Sequence, residues 1–114
     1  MKKITSLHEI EKITNGNQAT LKELLAVFIK EGTLQVQKLQ AYLNDGNLQE
    51  LKNTAHKIKS SLLLIGLGSY RTMAEEIEQG AEKNLQKTKQ QVLELIILYT
   101  RALAELKITL EELA

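Results

Sequence analysis

The sequence predicts an all-α protein, an antiparallel up-down four-helix bundle with a short extra helix at the N-terminus. Three observations carry that expectation. The 114 residues include no proline and only six glycines, so long helices can run without interruption. Apolar residues recur three and four apart along several segments, the period of one face of a helix, and no stretch shows the alternation of a strand. Polar turn clusters built on Asn and Gly separate those segments at short intervals.

Taken in order, Ser6-Leu7-His8-Glu9 has the form of a capping box, with Leu7, Ile10 and Ile13 following at helical spacing and Asn15-Gly16-Asn17 ending a short first helix. A second box, Thr20-Leu21-Lys22-Glu23, opens a long helix whose apolar face is Leu21, Leu24, Leu25, Phe28, Val36, Leu39 and Leu43. Gly32-Thr33 interrupts that face and is read as a kink or local weakening within one helix. Asn44-Asp45-Gly46 forms the next turn. Asn47, with Glu50 behind it, caps a central helix carrying Leu48, Leu51, Ala55, Ile58, Leu62 and Ile65 in one stripe.

Gly66 and Gly68 stop that helix, because glycine tolerates the left-handed C-cap conformation. Ser69 is the expected cap of a fourth helix that buries Tyr70, Met73, Ala74 and Ile77, and residues 80–87 read as a polar loop. Thr88 to Gln91 has the form of a last start signal. Beyond it Val92, Ile96, Tyr99, Leu103, Leu106, Leu110 and Leu113 repeat four, three, four, three, as suits a helix packed at a shallow angle in a bundle.

Composition excludes several functions. With 43% hydrophobic and 25% charged residues the chain reads as one soluble globular domain, 1–114. A formal net charge of +1 gives no broad electrostatic footprint for nucleic acid. The absence of cysteine excludes a disulfide framework and a thiolate metal site. Two N-terminal lysines have no apolar run behind them, and the most apolar stretches, residues 62–67 and 92–99, are too short to span a bilayer. A cytoplasmic protein, or a cytoplasmic piece of a longer one, is expected. The apolar stripes do not require a partner copy, and a monomer is expected.

His56 lies beside the central stripe and not in it, which sends its imidazole to the surface from a backbone held by the core. Lys59 and Ser60 follow three and four residues later and are helix-surface neighbours that lean back toward it. Nucleophilic phosphoryl transfer to a histidine needs a neutral ring nitrogen within a partner's reach and donor groups that offset the arriving charge. His56 meets the first need, Lys59 supplies a cation, and Ser60 supplies a hydroxyl. Lys52, one turn earlier, adds positive field although its side chain leans away, and Asn53 shares the face. Leu63, two turns beyond His56, is either a peripheral core residue or an exposed apolar docking point rimmed by Asn53 and Ser60. By default His56, Lys59 and Ser60 are surface residues flanking an apolar stripe.

Ala55-His56-Lys57-Ile58-Lys59-Ser60-Ser61, with Gly66 ten residues after the histidine, resembles the motif of histidine-containing phosphotransfer domains, roughly Ala-His-x-Leu-Lys-Gly-Ser/Ala with a glycine closing the helix. Leu24-Leu25-Ala26-Val27-Phe28 resembles the family's preceding helix, and Leu43-Asn44-Asp45-Gly46-Asn47 its turn before the histidine helix. The resemblance implies a phosphorelay intermediate, with His56 as carrier and Lys59 holding the phosphoryl oxygens. Response-regulator receiver domains are the implied partners, at a docking face that includes Lys52, Asn53 and Leu63. It also implies a phosphocarrier rather than an enzyme, with no cofactor or metal on this chain, the divalent ion residing on the receiver. Such a module occurs alone or within a hybrid sensor kinase. The chain departs from the pattern at Ser60, where the family usually has glycine; serine is small enough to keep access to the histidine.

Three rivals differ in kind. His8-Glu9 superficially resembles the start of a histidine-kinase dimerisation helix, but no proline follows and no ATP-binding domain is present. A non-catalytic helical adaptor with the same shape would need neither His56 nor Lys59. A metal site in the bundle would need Glu-x-x-His pairs, which the sequence lacks.

Overall fold

The computed structural model describes residues 3–113; Met1, Lys2 and Ala114, the ends of the expected 1–114 domain, lie outside the described residues. The chain forms α1 (His8–Thr14), α2 (Gln18–Asp45), α3 (Leu48–Leu64), α4 (Arg71–Gly80) and α5 (Leu85–Leu113), with a single 3-10 turn at Gly68–Tyr70 before α4. Short connections reverse the chain after each of α2, α3 and α4. In the resulting antiparallel bundle α2 packs on α3 and α5, and α4 packs on the same two helices, while α1 lies against α2 and α3. The predicted fold class is therefore the observed one.

The stripes meet as their spacing requires. Leu51, Ala55, Ile58, Leu62 and Ile65 of the central segment are fully buried, and Leu48 is half-buried at its start. Opposite them lie Leu25 and Leu39 of α2, Ile77 of α4, and Leu95, Tyr99 and Leu106 of α5. Each such side chain contributes about 1.5–3 kcal/mol by leaving water, which makes this core the main source of stability.

Several element starts differ from the sequence expectation. Asn17, not Thr20, caps α2, its Oδ1 accepting the Thr20 N–H at 3.0 Å. The first box forms only in part: α1 begins at His8, whose N–H donates to Ser6 Oγ at 3.2 Å. Ser69 caps nothing; the 3-10 turn takes its place, α4 starts at Arg71 without a side-chain cap, and Tyr70 is exposed rather than buried. The loop expected at residues 80–87 is much shorter, because Asn84 Oδ1 accepts the Lys87 N–H at 3.1 Å and α5 starts at Leu85. Thr88 is consequently a buried helical residue, not a cap.

Gly32 lies within one continuous helix, as expected. Its role is close packing: a Cβ there would stand 2.6 Å from Leu103 Cδ2 and 3.0 Å from Tyr99 Cε1, so its missing side chain lets α5 approach α2.

The histidine-bearing helix is held firmly at both ends. Asn47 Oδ1 accepts the Glu50 N–H at 3.3 Å at its start. At its end Gly66 takes a φ of +84°, Leu67 N–H reaches Leu62 C=O at 2.8 Å, and Gly66 N–H reaches Leu63 C=O at 3.3 Å, a Schellman stop. The N-terminal segment crosses this stop. Ser6 N–H donates to Ile65 C=O at 2.9 Å, and Ser6 lies so close over Gly66 that a Cβ would meet it at 2.7 Å. The same segment is tied to α5, where the Glu105 carboxylate accepts the Ile4 N–H at 2.9 Å and the Thr5 N–H and hydroxyl at 3.1 and 2.9 Å.

Candidate functional site

His56 is the central residue of α3, eight positions from either end. Its neighbours Ala55 and Ile58 are buried, while its own side chain is 63% exposed. The expected geometry of a rigid backbone under an accessible ring is present.

The ring is not alone. Glu78, which follows the buried Ile77 on α4, places Oε1 2.7 Å from His56 Nδ1 and Oε2 3.2 Å from Lys59 Nζ. Burial pushes the Glu78 carboxyl up, but hydrogen bonds from Lys59 and His56 and the charges of both outweigh it and hold the group below its ordinary value. The carboxylate is therefore ionised near neutral pH and can only accept. It follows that Nδ1 carries the proton of the neutral ring and that the lone pair sits on Nε2, the nitrogen facing away from Glu78.

Lys59 is closer to the bundle than expected. It is not a fully solvated residue: its side chain is only 20% exposed, drawn into the α3–α4 seam by Glu78. Lys52 is likewise engaged, with Nζ 3.4 Å from Glu82 Oε1 across the same seam. Asn53 is exposed and accepts from Gln49 Nε2 at 3.2 Å. Ser60 is exposed, and among the described residues its hydroxyl has no hydrogen-bond partner. Leu63 is 46% exposed, which favours the surface reading over that of a covered core residue, and it lies over the 3-10 turn with Cδ1 3.3 Å from where a Gly68 Cβ would be.

The structure thus brings His56 and Lys59 together through a third residue that sequence reading missed. A signal for it exists. His56 follows Ala55, Lys59 follows Ile58 and Glu78 follows Ile77, so all three flank buried stripe positions on helices that pack together. Among the described residues no group of three or more His, Asp or Glu is placed to hold a metal ion, and no helix is long and apolar enough to cross a membrane. His8 is exposed and lies away from this cluster, at the first position of α1.

Chemically the arrangement offers an accessible nucleophilic nitrogen of fixed tautomer, a cation one turn away, and a small neutral residue beside them. Among known families, the model described as Hpt domain matches residues 23–114, which take in His56, Lys59 and Glu78 and leave α1 outside. No curated protein matches the chain, and no solved structure does.

Proposed function

The chain belongs to the Hpt domain family, whose members are phosphocarriers of phosphorelay signalling that interact with response-regulator receivers, and on that premise we propose that His56 is its carrier residue. In this reading Nε2 of His56 takes a phosphoryl group from a receiver aspartate and gives it to a second receiver. The observation that carries it is the Glu78 carboxylate on Nδ1 at 2.7 Å, which in the neutral ring puts the lone pair on Nε2, on an exposed side chain.

The step balances without any proton leaving the ring. The Nε2 lone pair attacks phosphorus, the P–O bond to the aspartyl carboxylate breaks, and that carboxylate departs with the electron pair. The Nδ1 proton stays on its hydrogen bond to Glu78, and the ring becomes cationic beside a carboxylate that stabilises it. Lys59 turns from Glu78 toward the phosphoryl oxygens, a short movement from the same position on α3. Such a displacement is chiefly a matter of positioning and charge compensation, so two side chains suffice. Ser60 leaves room for the receiver's active site and places a free hydroxyl near the phosphoryl group. Lys52, Asn53 and Leu63 form the docking face, with Leu63 as its apolar point. In this reading the divalent ion belongs to the receiver, this chain needs no cofactor, and the exchange takes place in the cytoplasm, where receivers operate.

The test is direct transfer. Incubation with a phosphorylated receiver should place acid-labile phosphate on the chain, and His56→Gln should abolish it. Equal labelling of the His56→Gln protein would overturn the assignment, and a chain that binds receivers but is labelled by none would be the non-catalytic adaptor.

A further inference from the structure

A polar cleft of about 340 Å³ opens on the seam between α4 and α5, whereas His56 stands on the seam between α3 and α4. Its side chains are sorted by charge along the seam. At the turn end stand Lys83, Asn84 and Lys87, beside the first turn of α5, where the helix dipole is positive. One turn further in stand Glu76 of α4 and Gln91 of α5, joined by a hydrogen bond from Gln91 Nε2 to Glu76 Oε2. Lys87 Nζ lies 3.9 Å from the same Glu76 oxygen, and Lys83 forms no ion pair among the described residues. Asn84 Oδ1 is taken by the Lys87 N–H, which leaves its amide Nδ2 as a donor.

Thr88 lines the same cleft and is only 2% exposed. A helical threonine commonly bonds back to the carbonyl one turn earlier. Thr33, Thr54 and Thr109 do so at 2.7, 2.8 and 3.0 Å. Thr88 does not: the Asn84 carbonyl receives its N–H at 3.0 Å, and its hydroxyl has no hydrogen-bond partner among the described residues. Nor is that oxygen sealed in the core, because no fully buried side-chain oxygen or nitrogen among the described residues lacks a partner. The hydroxyl therefore opens on the cleft. A nearly buried hydroxyl without a partner is costly, so its place is one where a bound molecule supplies the missing bond.

We propose that this cleft binds a small hydroxylated phosphate monoester, of the sugar- or polyol-phosphate class. The Thr88 hydroxyl, Asn84 Nδ2 and the ammonium groups of Lys83 and Lys87 donate to the phosphate oxygens, at a helix end that favours negative charge. Glu76 sets the rest of the ligand. A carboxylate repels a bare anion but accepts hydrogen bonds from hydroxyls, so with the Gln91 amide it receives the organic body one turn further in. The cleft has the volume of a small-molecule site and more room than a phosphate ion fills. Glu76 and Glu78 are two residues apart on α4 and so point to opposite sides of it, which makes this site independent of the carrier role of His56.

Glycerol 3-phosphate, titrated into the isotope-labelled full chain at low ionic strength, should shift the amides of residues 83–91 in a saturable way. Inorganic phosphate should bind at least about threefold more weakly, and glycerol alone should shift nothing. Lys83→Gln, at an exposed side chain with no ion pair to lose, should weaken binding about tenfold. Thr88→Val keeps the shape and removes the hydroxyl; binding should fall several-fold while thermal stability holds or rises. His56→Gln should bind as the unaltered chain does. No saturable shift up to about 10 mM ligand overturns the proposal. So does a Thr88→Val protein that binds as tightly as the unaltered chain. Inorganic phosphate binding as tightly as the ester would mean an ion site only, and would overturn the assignment of the ligand.

Discussion

One carboxylate on α4 serves two residues of α3: Glu78 lies 2.7 Å from His56 Nδ1 through Oε1 and 3.2 Å from Lys59 Nζ through Oε2. Without it the imidazole would distribute its proton over both nitrogens and turn freely. Glu78→Ala should therefore slow phosphoryl uptake on the order of tenfold, equivalent to ~1.4 kcal/mol in the barrier. Glu78→Gln, whose amide oxygen can still accept from Nδ1, should lose less. Rates from a rapid-quench time course with a phosphorylated receiver check both, and equal losses for the two variants would show that charge rather than orientation matters.

Lys59→Ala removes the cation proposed to hold the phosphoryl oxygens. Transfer should fall at least tenfold. Because the pair with Glu78 crosses the α3–α4 seam but is partly solvated, the accompanying loss of stability should stay below about 1 kcal/mol. Urea denaturation separates the two effects. A stability loss well above that figure would make Lys59 a structural residue first.

Ser60→Gly restores the small residue usual in the family. Glycine in an exposed helix position costs about 0.5 kcal/mol relative to serine, and among the described residues the hydroxyl has no partner to lose. Transfer should hold or rise, as judged by labelling rate at matched receiver concentration. A clear drop would give the hydroxyl a part in holding the phosphoryl group.

Gly32→Ala sets two known effects against each other. Alanine gains about 1 kcal/mol of helix propensity, while forcing a methyl against Leu103 and Tyr99 costs about 1–3 kcal/mol of overpacking. The Tyr99 ring is fully buried and cannot swing aside, so the balance should be a net destabilisation of about 1 kcal/mol. The midpoint of urea unfolding reads it, and a rise in that midpoint would show that the two helices can separate at little cost.

Acid should release the N-terminal segment before it unfolds the bundle. Burial pushes the Glu105 carboxyl up, but the hydrogen bonds from Thr5 and Ile4 and the charge of Arg101 outweigh it and hold the group below its ordinary value. A carboxyl depressed in the folded state contributes fully above its unfolded pKa of about 4.3, and that contribution is lost as pH falls through the folded value. Protection of the Ile4 and Thr5 amides from exchange should therefore vanish in that acid window. In Glu105→Gln it should already be weak at neutral pH.

The fold was legible because its signals are periodic and redundant. Six stripe positions agree on the orientation of α3, so no single misread residue could turn it, and Asn47 and Gly66 mark its ends without competitors nearby. Starts of helices were less legible where several polar residues compete for one cap. Asn17 and Thr20, or Asn84 and Thr88, lie one turn apart, and only the depth to which the core reaches decides between them. At Gly32 the sequence shows a weak helix former inside one helix, but not the neighbours Leu103 and Tyr99 that need its missing side chain. In the site, His56, Lys59, Ser60 and Leu63 share one helix, so spacing alone set their relation. Glu78 joins them from a different helix, twenty-two residues on; its place after the buried Ile77 sets its face of α4, but only the packing of α4 on α3 sets its partners.

The position of His56 at the midpoint of α3 has a further consequence. Helices lose their order from the ends inward, one turn at a time, and here the ends are closed by Asn47 and by the Schellman turn at Gly66 under Ser6. Local opening of the outer turns leaves the middle turn intact, so the peptide group bearing His56 comes apart only when the bundle does. The exposed ring, held by Glu78, can meet a partner on a fast timescale while its anchor point moves on the slowest one the protein has. A docking receiver then finds the nitrogen in one place, and the search for alignment falls to the partner alone.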